Sequence, residues 1–311
     1  MTKYLSLTFL IAIMIFFSVS AGRFLTIGNL LSILMEWTIL ATLALGFTFV
    51  IVAAEFDLSF GYLLGLCSVA AALLVNSGVN FMLMVPAVLL IGAAVGALNG
   101  FLIVKMGLPA FIATIGVGAI CQGTNYLFTQ AEPIPIDYGV LPGAFLFIGQ
   151  GSFLGLPGTL IVFIPLALLV AYILSKSRVG QHLYVIGINP DAARKVGIKI
   201  GRGKMFSLIC CGLGAAIVGL FITARTSSGH AIAGPEYLLD VFASVFFGMS
   251  LFKEGEANVG GTLVGAFFMV VIGNGFMLMN MQFYHLKIAQ GIVILLGLGV
   301  VSLLRKQYMK A

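Results

Sequence analysis

Charge is what this sequence has least of. Only 8% of its 311 residues are Asp, Glu, Lys or Arg, and 61% are hydrophobic. Soluble domains carry about a quarter charged residues, so a water-soluble fold is excluded and an all-α polytopic membrane protein is expected. Phosphate-binding loops are missing as well. The nearest approach to G-x-x-x-x-G-K-[ST] is "GRGKM" at 201–205, which lacks the spacing and the hydroxyl, so no ATP site is expected in this chain. Cysteine is scarce: Cys67, Cys121, Cys210 and Cys211 lie in apolar stretches without metal-ligand spacing and read as small packing residues. The histidines, His182, His230 and His285, fall in three separate loops with no H-E-x-x-H. No serine or cysteine has an evident base, which disfavours an intramembrane enzyme. Neither a cofactor nor a metal is expected.

Apolar runs are what is there. Ten spans are predicted, at 4–21, 33–53, 61–76, 81–104, 110–129, 159–174, 205–223, 237–251, 261–280 and 286–304. Most approach the ~20 residues a bilayer requires; 61–76 and 237–251 are short, as broken helices are. Lys3, an apolar run and "SVSA" at 18–21 also allow a signal peptide, against which stands Arg23 just past the cleavage point.

With the N-terminus placed in the cytoplasm, thirteen basic residues fall inside: Lys3, Lys105, Lys176, Arg178, Arg194, Lys195, Lys199, Arg202, Lys204, Lys253, Arg305, Lys306 and Lys310. Only Arg23, Arg225 and Lys287 fall outside. That bias puts both termini and residues 175–204 in the cytoplasm and the proline-bearing loop 130–158 outside. It also accounts for the net charge of +6 without any nucleic-acid partner.

The chain answers itself at an offset of 175. "GYLLG" at 61–65 pairs with "EYLLD" at 236–240, and "NGF" at 99–101 with "NGF" at 274–276. The same shift carries spans two to five onto spans seven to ten. Five spans separate the equivalents, an odd number, so the second copy is inverted. Inverted repeats are the architecture of alternating-access transporters.

Carboxylates inside the spans are few. Glu55 and Asp57 stand between spans two and three, and spans four, five, nine and ten hold none, which disfavours an ion-coupled carrier. Asp57 reads as an N-cap or first-turn charge for span three beside Ser59, with a proton site at Glu55 or Asp57 as the alternative. The membrane-depth polar residues are neutral: Asn99, Thr114, Gln122, Asn125, Asn274 and Asn280. Amides and hydroxyls suit neutral polyhydroxylated solutes, although each is more often a helix–helix hydrogen bond than a ligand contact. Asn99, Thr114, Gln122, Asn125 and Asn274, with Phe111, are the candidate translocation path. Gly92, Gly96 and Gly100 form a small-xxx-small packing face.

"INPDAARKVGIK", Ile188 to Lys199, reads as two turns of soluble helix in this apolar chain. Asn189 suits the N-cap, Pro190 the first turn, Asp191 the positive end, Arg194 and Lys195 the negative end, and Gly197 the left-handed stop. Too short to persist alone, it must dock. The expectation is a cytoplasmic segment that takes force from a partner chain; the alternative is an amphipathic loop lying on anionic lipid.

These residues resemble the permease subunits of bacterial ABC importers for monosaccharides, the ribose/xylose/autoinducer-2 group. "DLSFG" at 57–61, "NGFLIVKMGLPAFIATIG" at 99–116, "VGQHLYVIGINPDAARKVGI" at 179–198 and "AGPEYLLDVFASVFFG" at 233–248 carry the likeness, in the group's order. It departs at "VAAEF", 52–56, where the group usually has glycines, and at the charged "SLFKEGEANVGG", 250–261. The resemblance implies one permease domain over 1–311, with 175–204 as its cytoplasmic coupling loop, in the bacterial inner membrane. The implied partners are a cytoplasmic ABC ATPase subunit, an extracytoplasmic sugar-binding protein and a second copy or related permease. Asn189, Pro190, Asp191, Ala192, Ala193, Arg194 and Gly197 would enter the ATPase. Gly234, Pro235, Glu236, Tyr237 and Asp240 would help receive the binding protein, and Glu55 and Asp57 would lie at the inner mouth. The same architecture carrying nucleosides or branched-chain amino acids is the nearest rival.

Overall fold

The computed structural model describes residues 2–137, 139–252, 255–282 and 284–295. Lys253, Glu254, positions 296–304 of the expected tenth span, and Arg305, Lys306 and Lys310 lie outside the described residues. The helices are α1 (Thr2–Ser20), α2 (Ile27–Val52), α3 (Ser59–Asn76), α4 (Phe81–Val104), α5 (Ala110–Thr129), α6 (Gly143–Gln150) and α7 (Gly158–Lys176). They continue with α8 (Arg178–Ile188), α9 (Pro190–Lys195), α10 (Ile200–Thr226), α11 (Tyr237–Gly248), α12 (Val259–Leu278) and α13 (Tyr284–Leu295). Among the described residues there are also four two-residue strands: β1 (Ile134–Pro135), β2 (Ser152–Phe153), β3 (Leu156–Pro157) and β4 (Ser228–Gly229).

Among the described residues, seven helices are long and apolar enough to cross a membrane: α2, α3, α4, α5, α7, α10 and α12. Three shorter apolar stretches accompany them, Leu10–Ser20 of α1, α11 and α13. The protein is an all-helical multi-span membrane protein. Pro109, Pro142 and Pro157 each stand immediately before a helix, with φ near −60° and extended ψ, which sets the start of α5, α6 and α7.

The chain divides into two compact units, residues 45–238 and residues 1–44 with 239–311. In the first, α4 and α10 run antiparallel at backbone distance. A Cβ at Gly92 would stand 2.4 Å from the Gly212 carbonyl oxygen, and one at Gly96 2.5 Å from that of Leu208. The Gly92–Gly96–Gly100 face is thus a helix crossing, as expected. α3 lies parallel to α10: the Ser68 and Thr223 hydroxyls are 2.7 Å apart, and Gly219 abuts Leu64 and Cys67. α5 lies along α3, with Gly118 accommodating the Tyr62 ring.

The second unit is built on aromatics. Phe17 and Phe24 pack with Ala21, Ile33 and Val271, and Phe276 meets Phe17 edge-on at 6.0 Å. A Cβ on Gly275 would enter the Phe17 ring. The Trp37 indole donates to the Leu263 carbonyl at 2.9 Å, and Phe247 stacks on Phe268 at 4.3 Å. α11 and α12 touch through Gly248 and Gly261, and through Ser244 and Gly265.

Two regions read as loops are ordered. Within 130–158 lie α6 and the β2–β3 hairpin, which turns through Leu154 and Gly155 at positive φ. Within 175–204, α8 precedes the expected short helix.

Candidate functional site

The short helix forms where its caps dictate. Asn189 is extended, and its Oδ1 accepts from Ala192 N at 2.9 Å. Pro190 follows in the first turn. Gly197, at φ +80°, ends the helix while Ile198 N donates to the Ala193 carbonyl at 3.0 Å. Arg194 bonds Asp191 at 3.0 Å, and that pair is exposed. Asn189, Pro190, Asp191, Ala192 and Gly197 are exposed as well, leaving Ala193 as the only buried residue of α9. A helix with one buried side chain is held by what flanks it. α8 supplies that hold: Ser177 caps it at Gly180 N, Leu183 and Ile186 are buried, and Gly187 abuts the Val52 carbonyl. Sequence reasoning missed α8, although Leu183 and Ile186 at i, i+3 were its signal.

The glycine-poor "VAAEF" turn has a structural occupation. Ala54 takes φ +53°, and the Glu55 carboxylate pairs with Lys204 of α10. Asp57 is buried. Its Oδ1 accepts from Ser59 N and Ser59 Oγ, both at 2.7 Å, with the Cys211 thiol beside it. Ser59 Oγ in turn accepts from Asn99 Nδ2 at 2.7 Å, and Thr114 Oγ1 accepts from Leu58 N at 3.1 Å. Both inner-mouth candidates are engaged. Glu55 is engaged by a cation, and Asp57 fixes the start of α3 from the position before the cap residue Leu58. Cys211 is near the middle of α10, a helix about 40 Å long at ~1.5 Å per residue, so α3 begins deep within the bundle.

A second chain segment descends beside it. After α10, β4 pairs with β1, and the backbone then follows α3 downward. Gly229 abuts the Ser68 carbonyl, His230 N donates to Ser68 Oγ at 3.0 Å, and Gly65 leaves room for the Ala231 carbonyl. Gly234 reaches Gly61, where a Cβ would stand 1.6 Å from the Gly61 oxygen. Gly234, Pro235, Glu236 and Tyr237, expected to help receive a binding protein, follow on this descent. Gly234 is buried, Pro235 and Tyr237 are half-buried, and only Glu236 of these is exposed. Their position is against the first turn of α3, because paired glycines let two backbones touch. Asp240 is half-buried in the other unit and accepts from Gln290 Nε2 at 2.5 Å.

The path candidates divide. Asn99 binds Ser59; Thr114 binds the Ala110 carbonyl and Leu58 N; Asn274 binds Asn29. Asn125 Nδ2 donates to the Tyr62 and Ala231 carbonyls at 3.4 Å each. Phe111 is 56% exposed and tilts against Phe56 at 6.3 Å. Asn99 Oδ1, Asn125 Oδ1 and both polar atoms of Gln122 are buried without a partner. Among the described residues no cluster of His, Cys, Asp or Glu could hold a metal, and the four cysteines are free.

Comparison with known proteins identifies the family. The family model described as branched-chain amino acid transport system / permease component matches residues 29–298. The chain is 34% identical over 295 residues to the ribose import permease protein of Escherichia coli K12, covering 95% of this chain and 92% of that protein. It is 33% identical to the ribose import permease protein of Bacillus subtilis 168, over 93% of this chain and 89% of the other. The D-allose transport system permease protein of Escherichia coli K12 is 29% identical, over 95% and 90%. No solved structure matches. The chain belongs to the branched-chain amino acid transport system / permease component family.

Proposed function

We propose that this chain is the membrane-spanning permease subunit of an ATP-driven ABC importer for a monosaccharide, and that it performs no chemistry itself. The observation that carries the reading is α9: a helix capped at both ends, exposed on every residue but Ala193, in a chain related along nearly its whole length to ribose and allose permeases. A cytoplasmic ATPase subunit grips Asn189 to Gly197, and α8 passes its movement to Val52 and the broken turn below α3. Residues 175–204 form this cytoplasmic coupling loop within a single permease domain.

The finer architecture is ten spans with both termini in the cytoplasm, spans two to five being repeated inverted as spans seven to ten. The repeat is supported by Asn99 and Asn274, 175 residues apart, each tying its helix to a neighbour. Gly234 to Tyr237 are reassigned from the receiving face to membrane depth, where they and the start of α3 line the way of the solute. An extracytoplasmic binding protein delivers the sugar, and a second permease copy or a related chain completes the assembly. Alternating access follows when the ATPase moves α8 and α9.

The test is co-purification with the ATPase subunit, followed by ATPase assays with binding proteins loaded with ribose, allose or xylose. Stimulation by one of them is expected. Accumulation of solute against a gradient by the isolated permease in vesicles would overturn the reading.

A further inference from the structure

We infer that Gln122 and Asn125 on α5 form a hydroxyl-binding step for the transported solute; the inference rests on the importer reading above. Gln122 buries its amide nitrogen and its amide oxygen with no partner for either, and three residues on Asn125 buries an unpartnered Oδ1. Side chains three apart on a helix lie on one side, with Cβ atoms roughly 5–6 Å apart. Asn125 aims its Nδ2 at the carbonyls of Tyr62 on α3 and Ala231 on the descending segment, 3.4 Å from each. Its Oδ1 is thereby left as an open acceptor on the same side of α5 as Gln122.

Polar groups removed from water without partners are costly, and native interiors hold few of them. Two such residues on adjacent turns, at membrane depth and beside a main-chain segment tucked against α3, are better explained by an intermittent occupant than by a packing fault. Their chemistry defines it. Together they offer two N–H donors and two carbonyl acceptors, the complement of neighbouring hydroxyls that each donate once and accept once. Neither α3 nor α5 carries a Lys, Arg, Asp or Glu, and the nearby Asp57 carboxylate is taken up by Ser59, so these two walls offer a carboxylate or ammonium no free counter-charge. The site therefore favours a neutral polyol over an amino acid, a distinction the family description does not make.

The experiment uses Gln122→Leu in the full complex with ATPase subunit and binding protein, reconstituted in vesicles with ribose, allose and xylose as probes. Uptake is expected to fall about tenfold, the scale of one hydrogen bond to a neutral group. ATPase stimulation by the loaded binding protein stays within about twofold. The thermal midpoint of the purified variant is unchanged or raised, because an unpaired amide gives way to an apolar side chain of similar size. Wild-type uptake in Gln122→Leu overturns the amide step alone. A lowered midpoint with uptake and ATPase falling together also overturns it, since Gln122 would then be a structural amide. A wild-type complex that imports none of the three sugars overturns both the step and the importer reading.

Discussion

Asn29 and Asn274 bind each other amide to amide. Asn29 Nδ2 donates to Asn274 Oδ1 at 3.0 Å, and Asn274 Nδ2 donates back to Asn29 Oδ1 at 2.8 Å. The ring of two bonds fastens the first turn of α2 to the last part of α12. In an apolar surrounding an amide does this well, because the alternative is two unmet polar groups.

Asn274→Leu should therefore lower stability by about 1–2 kcal/mol, leaving Asn29 with only its bond to the Phe24 carbonyl. The double variant Asn29→Leu/Asn274→Leu should regain part of that loss. Thermal unfolding of the three variants in detergent, analysed as a double-mutant cycle, measures the coupling. A path residue would instead show a transport defect at full stability.

The contact of Gly61 with Gly234 makes a sharper forecast. A methyl at position 234 would overlap the Gly61 carbonyl, so Gly234→Ala must separate the two backbones, at a cost of about 1–3 kcal/mol or more. Gly123 has nothing within 4 Å of its would-be Cβ, and Gly123→Ala in the same unit should be neutral or stabilising by up to ~1 kcal/mol. Yield and thermal midpoint of the two alanine variants test the pair.

Glu55 and Lys204 give a third. The Glu55 side chain is 8% exposed and that of Lys204 28%. Lys204→Met leaves a nearly buried carboxylate alone and should cost about 3 kcal/mol. Adding Glu55→Gln should recover most of it, since the penalty belongs to the unpaired charge. Equal losses in the single and double variants would mean that Lys204 acts through its aliphatic stem.

The fourth concerns coupling. Asn189→Ala removes the cap on Ala192 N and should weaken α9 by about 1 kcal/mol. Gly197→Val forces a branched residue to φ +80° and should unseat the helix end. Both variants should fold, since these positions are exposed, yet import less solute per ATP hydrolysed. A normal ratio of transport to hydrolysis would remove α9 from the force path.

What could be read in advance was whatever is written locally. The ends of α4 and α5 fall where the hydropathy places them, and α9 is spelled by a cap, a proline and a stop within nine residues, Asn189 to Gly197. Asp57 with Ser59 was legible for the same reason. Glu55 was noticed as a departure but not understood, because Lys204 lies far along the chain and nothing near position 55 announces it. The descent of 229–234 along α3 was not read in advance. An apolar, glycine-bearing stretch between two spans looks the same whether it lies on the membrane or enters it, and the signal was the matching set of glycines at 61, 65, 229 and 234. α6 was hidden by the prolines around it, and α8 by the charged residues that follow.

Cys67, Cys121 and Cys211 are buried and Cys210 is half-buried, all in apolar helices that keep reagents away. The native thiols should stay silent toward maleimides, so a cysteine placed at Val196, a residue 72% exposed, becomes a single addressable handle without a cysteine-free background. A fluorophore or spin label there would report whether a partner chain covers α9.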